Sequence, residues 1–145
     1  MTQFQILENY LHSQEMDATL AVTDTLLRIA GACEGISKLV ARGPLPGCLD
    51  AARGDDRELT VQKELDQVAN SCLIAALQAT PVAYLVSEQL DQAMPMQESA
   101  PLSVAIAPLN GSSGLEANAA PGTIFSIYAT ASAESSSIHD VVCQR

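Results

Sequence analysis

The hydrophobic pattern of this 145-residue chain changes its period at Pro81, and that change constrains the fold more than any other feature. Before Pro81, apolar residues recur every three or four positions, which is the spacing of one face of an α-helix. After it, short β-prone runs are separated by Pro, Gly, Ser and Asn. We therefore expect an α/β fold with α+β layering, in which N-terminal amphipathic helices pack on a small sheet.

These patterns also place the individual elements. Residues 18–41 should form one amphipathic helix, and the apolar positions of residues 61–77 a second helix that follows a loop at residues 54–57. Residues 82–86, 102–106 and 123–128 should form buried strands, and residues 94–101 a surface loop. We expect one domain over residues 1–130 and a loosely ordered polar tail over residues 131–145.

Four segments carry recognisable motifs. Residues 61–70 read Val-Gln-Lys-Glu-Leu-Asp-Gln-Val-Ala-Asn, and residues 85–89 read Leu-Val-Ser-Glu-Gln. Residues 104–113 read Val-Ala-Ile-Ala-Pro-Leu-Asn-Gly-Ser-Ser, and residues 122–128 read Gly-Thr-Ile-Phe-Ser-Ile-Tyr. In order and approximate spacing, these segments resemble the N-terminal half of class I fructose-1,6-bisphosphatases.

The resemblance implies a chemistry and a site. Enzymes of that family are magnesium-dependent sugar-phosphate phosphatases, in which carboxylates at strand ends gather metal ions that polarise the phosphate ester and activate a water. By position, Asp66 is implied as a catalytic acid. The implied metal-ligand positions are Glu88, Gln89, Ala107, Leu109 and Asn110. Gly111, Ser112 and Ser113 are implied in binding the substrate phosphate.

Most of the acids that the resemblance implies are replaced in this sequence. The family motif reads Asp-Pro-Leu-Asp-Gly-Ser-Ser, so Ala107 and Asn110 stand where two aspartates are expected. Gln89 replaces a glutamate, Thr60 replaces a further aspartate, and Glu88 keeps its acidic side chain. Carboxylate ligands compensate Mg²⁺ for the cost of its dehydration. We therefore expect magnesium binding to be weak or lost.

Plainer interpretations of the same residues stay open. Glu88 is also explained as a solvated carboxylate at a strand end, and Asp66 as a residue on a helix surface. The turn at residues 110–113 is explained in two ways. It is an anion site, in which Gly111 permits close backbone approach and free N–H groups at a helix start point at a phosphate, or it is a tight turn with an ordinary N-cap.

Charge and cysteine content exclude several classes of function. A net charge of −10 argues against a nucleic-acid or anionic-membrane partner, since both need a basic surface. No Lys or Arg lies between Lys63 and Arg145, so a phosphate bound there would depend on backbone N–H groups, hydroxyls, a cation or a neighbouring subunit.

The four cysteines show no Cys-x-x-Cys spacing, which argues against zinc. The sequence shows no leader pattern and no apolar run of about 20 residues, so we expect a cytoplasmic protein.

Three functions are consistent with these observations. The first is a fructose-1,6-bisphosphatase-family N-terminal domain homologue that is impaired in hydrolysis as an isolated chain. The second is an active or partner-completed magnesium-dependent fructose-1,6-bisphosphate 1-phosphatase. The third is a non-catalytic interaction module for a full-length phosphatase or another metabolic protein. By resemblance, the expected partners are a sugar bisphosphate and either further copies of the chain or a full-length phosphatase.

Overall fold

The computed structural model describes residues 6–7, 9–10, 17–41, 55–111 and 121–130. The elements in chain order are α1 (Asp17–Ala41), α2 (Asp55–Leu77), β1 (Val82–Ser87), β2 (Met94–Pro95), β3 (Leu102–Asn110) and β4 (Gly122–Ala129). The predicted α/β class, with helices before strands, is confirmed. Neither of these two helices is long and apolar enough to cross a membrane. The polar tail predicted for residues 131–145 lies outside the described residues.

The four strands form one mixed sheet in the order β2-β1-β3-β4. β1 runs parallel to β3, with Leu85 beside Val104 and Ser87 beside Ile106. β2 and β4 are each antiparallel to their neighbour. Because β1 and β3 are parallel, their carboxyl ends lie at the same edge of the sheet. The implied metal-ligand positions after β1 and near the end of β3 are therefore neighbours in the fold.

The hydrophobic core lies between the two helices and one face of the sheet. α1 packs against α2, and α2 packs against β1 and β3. Alternate strand residues enter this core, because successive side chains of a strand point to opposite faces. The buried apolar side chains are Ile29, Ile36, Leu65, Ala69, Leu73, Leu77, Val82, Leu85, Leu102, Val104, Ile106 and Leu109. Cys33 and Cys72 are half-buried free thiols at the margin of this core.

β4, which was predicted to be a buried strand, is mostly exposed, and three elements differ by more than one residue from the sequence-based predictions. α2 begins at Asp55, within the stretch predicted to be a loop. β2 lies in the predicted surface loop, where the Met96 N–H donates to the Ala83 carbonyl at 2.8 Å. β3 continues to Asn110 instead of ending at residue 106. Much of the 104–113 motif is therefore strand, and its turn begins only after Asn110.

Candidate functional site

The candidate site lies where β1 and β3 end side by side. The Glu88 N–H donates to the Ile106 carbonyl at 3.2 Å, so the backbone that leaves β1 stays attached to β3. Gln89 follows on the same turn, and the side chains of both Glu88 and Gln89 are exposed. The structure thus brings these two positions next to the part of β3 that contains Ala107, as the resemblance implies.

A buried polar contact connects this turn to α2. Ser87 Oγ donates to Asn70 Oδ1 at 2.7 Å, and the same oxygen accepts a hydrogen bond from the Gln89 N–H at 3.2 Å. Asn70 is 7% exposed and Ser87 is 3% exposed. Both residues lie in motifs of the resemblance, but neither is among the site residues that the resemblance implies. The available signal was in β1, where Ser87 ends an otherwise apolar run; α2 contains many polar residues, so Asn70 did not stand out in the sequence.

Asp66 lies one helical turn before Asn70, on the same face of α2. α2 ends close to the start of β1 and contacts the end of β1 through Asn70, so the helix runs antiparallel to the strand. Asp66 therefore lies farther along α2 than Asn70 in the direction of the candidate site. Its Oδ1 atom is buried and has no hydrogen-bond partner within the part of the chain that the structure describes. Asp66 is therefore not a fully solvated surface carboxylate, because its buried oxygen without a partner carries a desolvation cost.

β3 contributes few oxygen donors to the site. Ala107 is half-buried and has no side-chain donor, and Leu109 is buried, so it offers only its backbone carbonyl. Asn110 is exposed and ends the strand with a neutral amide. The side chains at these three implied ligand positions are therefore apolar or neutral.

The turn after β3 is present. Gly111 has a φ of 85°, a left-handed conformation that glycine adopts without steric cost. Across the turn, Thr123 Oγ1 donates to the Pro108 carbonyl at 2.9 Å and attaches the start of β4 to the end of β3. Ser112 and Ser113, which the resemblance implies in phosphate binding, lie outside the described residues.

The donor set does not fit the magnesium centre that the resemblance implies. No group of three or more His, Cys, Asp or Glu side chains that could hold a metal occurs among the described residues. Of the family ligand positions, Glu88 alone is acidic; Gln89 and Asn110 offer neutral carbonyl oxygens and Ala107 offers none. Asp66 adds one carboxylate from α2. Mg²⁺ usually takes its protein ligands from carboxylates and demands near-octahedral oxygen geometry, so this set is poor in charge and in number.

Sequence comparison assigns the chain to a family. A model of the N-terminal domain of fructose-1,6-bisphosphatase matches residues 1–144. The chain belongs to the fructose-1,6-bisphosphatase family. It is 40% identical over 131 residues to a class 1 fructose-1,6-bisphosphatase of Xanthobacter autotrophicus, covering 88% of this chain and 40% of that relative. It is 43% identical over 109 residues to the class 1 fructose-1,6-bisphosphatase of Azorhizobium caulinodans, covering 74% of this chain and 33% of that relative.

Structural comparison supports the same fold. The holo form of Leishmania major fructose-1,6-bisphosphatase superposes with a TM-score of 0.71 at 23% identity, over 97% of this chain and 42% of that one. Its T-state form gives a TM-score of 0.69. At this level of identity the likeness concerns the fold alone. This fructose-1,6-bisphosphatase-family chain thus spans 33–40% of the two bacterial relatives named above.

Proposed function

We propose that this fructose-1,6-bisphosphatase N-terminal domain homologue is impaired in phosphate ester hydrolysis as an isolated chain. The observation that carries the proposal is the pair Ala107 and Asn110 at the end of β3, beside Glu88 at the end of β1. Without the two aspartates, the site has too little negative charge to compensate Mg²⁺ for its dehydration. Magnesium binding is therefore weak or lost, and the metal's usual contribution to phosphate ester hydrolysis is lost with it.

The ligand class that we propose is a sugar bisphosphate, because the relatives are named fructose-1,6-bisphosphatases. A phosphate group would bind at the turn of Gly111, Ser112 and Ser113, through backbone N–H groups and hydroxyls. The matched region covers 40% of the Xanthobacter relative, so most of that relative's length has no counterpart in the match. Groups that recognise the rest of the sugar would have to come from outside the matched region.

Assembly is part of the proposal. Further copies of the chain, or a full-length phosphatase, are the partners that we propose, and either would give a non-catalytic interaction role or a partner-completed enzyme. The observation in favour is the exposed apolar surface of β4, where Ile124 is 58% exposed. The cytoplasm is the compartment that we propose, in keeping with the free thiols of Cys33 and Cys72.

The test compares the native chain with a variant that carries Gln89→Glu, Ala107→Asp and Asn110→Asp. Magnesium-dependent phosphate release from fructose 1,6-bisphosphate and Mg²⁺ binding by calorimetry are both measured, because binding reports on the site even when turnover is absent. We expect no release from the native chain and tighter Mg²⁺ binding by the variant. Measurable magnesium-dependent turnover by the native chain would show that the proposed impairment is wrong.

A matched control distinguishes Mg²⁺ binding by the site from Mg²⁺ binding that is due to total negative charge. The variant Ala75→Asp, Gln78→Glu, Gln97→Glu adds the same number of negative charges, three, at exposed positions away from the carboxyl ends of β1 and β3. It should bind Mg²⁺ no better than the native chain does. Equal gains in the two variants would mean that the binding reflects net charge and not the site. Tighter binding by the site variant without turnover would indicate that the remaining length of the relatives is needed for hydrolysis.

A further inference from the structure

The end of β3 places an asparagine directly before a glycine. Of the four asparagines in the sequence, Asn9, Asn70, Asn110 and Asn118, Asn110 alone is followed by glycine. The pair matters chemically, because the backbone nitrogen of the following residue can attack the side-chain carbonyl of an asparagine and close a succinimide ring. Glycine has no side chain to obstruct this attack and has the widest backbone freedom. The sequence therefore favours this reaction at Asn110 over the other asparagines.

The local structure leaves this pair less constrained than the interior of a strand. Asn110 is the last residue of β3, and its side chain is exposed in the described structure. The register of the β3·β4 ladder shifts between Ala107 and Asn110, so the strand is irregular here. Gly111 lies outside the strand, with a φ of 85°. Ring closure requires rotation of the backbone between the two residues, and element ends open more readily than element interiors.

Asn70 has the opposite environment. It lies within α2, is 7% exposed, and its Oδ1 atom accepts a hydrogen bond from Ser87 Oγ at 2.7 Å. Ser71 follows it inside the helix, where a backbone N–H donates to the carbonyl four residues earlier and is not available for attack. Asn70 should therefore be stable in the folded protein, and it provides an internal reference in the same chain.

We propose that Asn110 is a site of spontaneous deamidation, which returns a carboxylate to a position where the family motif has an aspartate. The Gly111 nitrogen loses its proton to solvent base and forms a bond to Cγ of Asn110. The bond from Cγ to Nδ2 breaks, and the leaving group takes up a proton and departs as ammonia. One water then opens the ring. Opening at Cγ gives aspartate, and opening at the main-chain carbonyl gives isoaspartate.

The two products change the site in different ways. Aspartate at position 110 keeps the main chain and adds a carboxylate at the same edge of the sheet as Glu88. Because Mg²⁺ is usually bound through carboxylates, this product makes the donor set more favourable. Isoaspartate adds one carbon to the main chain before Gly111, so it alters the turn. The consequence for Mg²⁺ rests on the proposed function, whereas the chemical step depends only on Asn110 and Gly111.

Mass spectrometry of the full chain during incubation at mildly alkaline pH tests the proposal. Cleavage after glutamate releases residues 99–116, which contain Asn110 and no other asparagine. We expect this peptide to gain the mass difference between an amide and a carboxylic acid, at a rate that rises with pH because the attacking nitrogen must lose a proton. It should separate into two products, one of which is a substrate for an isoaspartate-specific methyltransferase. The peptide of residues 65–88, which contains Asn70, should keep its mass.

Three variants test the mechanism. Asn110→Gln should abolish the mass gain, because glutamine would have to close a larger and slower ring. Gly111→Ala should slow the reaction roughly fivefold, since alanine lacks the backbone freedom of glycine. Ser71→Gly creates a second Asn-Gly pair inside α2, which should react in urea but not in the folded chain. Circular dichroism confirms that each variant is folded.

Three results would overturn the proposal. They are an unchanged peptide 99–116 from the folded chain, a reaction of Asn110 that occurs only in urea, and a mass gain of the native rate in Asn110→Gln. Mg²⁺ binding by Asn110→Asp distinguishes this inference from the proposed function. If the native chain deamidates but Asn110→Asp binds Mg²⁺ no better than the native chain, then the modification is supported and the proposed contribution of residue 110 to metal binding is wrong.

Discussion

Replacing Ser87 by alanine should destabilise the protein more than the removal of one small hydroxyl group suggests. Ser87 Oγ donates to the Asn70 amide oxygen on α2 and accepts from the Gln89 N–H on the turn that carries Glu88. Its removal leaves Asn70 Oδ1, which is buried, without this donor. The same substitution frees the Gln89 backbone. The perturbation therefore acts on the packing of α2 and on the geometry of the candidate site at once.

The two hydrogen bonds give the magnitude. A buried acceptor left unsatisfied costs about 1–3 kcal/mol, and the half-buried bond from the Gln89 N–H contributes about 0.5–1.5 kcal/mol. A loss of roughly 2–3 kcal/mol follows for Ser87→Ala, since the upper ends of both ranges seldom coincide. Domains of this size are stable by about 5–15 kcal/mol, so the variant should fold but with a visibly smaller margin.

Urea denaturation followed by circular dichroism is the assay. For a typical urea dependence of about 1–3 kcal/mol per molar, the midpoint should fall by about 1 M. Ser71→Ala is the matched control, because Ser71 Oγ donates to the Gln67 carbonyl at 2.8 Å on an exposed part of α2. Its cost should stay below about 0.5 kcal/mol.

A double-mutant cycle that combines Ser87→Ala with Asn70→Ala measures the interaction energy between these two side chains. The coupling energy between the two positions should be about 1–2 kcal/mol, because each single substitution removes the same contact. If Ser87→Ala costs no more than Ser71→Ala, or if the two substitutions are additive, then the contact does not stabilise the fold and the reasoning is wrong.

Three further predictions concern packing, turn and surface. Leu73→Ala should cost about 2–5 kcal/mol in urea denaturation, because Leu73 is fully buried between α2 and the sheet, and a smaller loss would mean that the core collapses around the cavity. Gly111→Ala should cost about 1–2 kcal/mol, seen as a lower thermal midpoint, because alanine is strained at a φ of 85°; an unchanged midpoint would mean that the turn adopts another conformation. Lys38→Ala should change stability by less than about 0.5 kcal/mol, since its 2.7 Å ion pair with Glu34 is exposed, and a larger loss would contradict that assignment.

The sequence predicted α1 almost to the residue but placed the start of α2 too late. α1 was expected over residues 18–41 and is observed as Asp17–Ala41, because its apolar face runs through most of its length. The apolar period of α2 becomes regular only at Val61, whereas the helix begins at Asp55. Hydrophobic periodicity identifies the part of a helix that has an apolar face. The first turns of α2 are polar, so the pattern did not predict them.

The strand boundaries depend on which strands lie side by side in the sheet, and hydrophobic periodicity does not show this pairing. β2 exists because Met94 and Pro95 have β1 beside them; its sequence alone is a polar, proline-containing loop. β3 passes through Pro108, a residue that normally interrupts a central strand. The last β3 residue that pairs with β1 is Ile106, and the β3·β4 register shifts between Ala107 and Asn110, so Pro108 lies in the irregular part of the strand. β1 has ended at that level, so the missing N–H of Pro108 breaks no ladder bond.

For the candidate site, the sequence named residues but did not show their environments. The resemblance placed Glu88 and Ala107 among the ligand positions, and the parallel pairing of β1 with β3 brings them to one edge of the sheet. The buried, unpartnered oxygen of Asp66 and the bond from Ser87 to Asn70 arise from how α2 packs on the sheet. The bond from Ser87 to Asn70 joins residues 17 positions apart, and no local sequence pattern encodes it.

The contacts that hold this edge of the sheet do not use the acids that the family motif contains. The bond from Ser87 to Asn70, the bond from the Glu88 N–H to the Ile106 carbonyl and the bond from Thr123 to the Pro108 carbonyl all involve backbone groups or neutral side chains. Carboxylates crowded together without a metal repel one another, so their replacement by Ala, Asn and Gln removes no support from the fold. The fold of the family, with a TM-score of 0.71 to a member, is therefore compatible with the proposed loss of metal chemistry. The contacts that hold this part of the fold are separate from the positions where the family motif has acids, so the proposed impairment of hydrolysis does not require a change of fold.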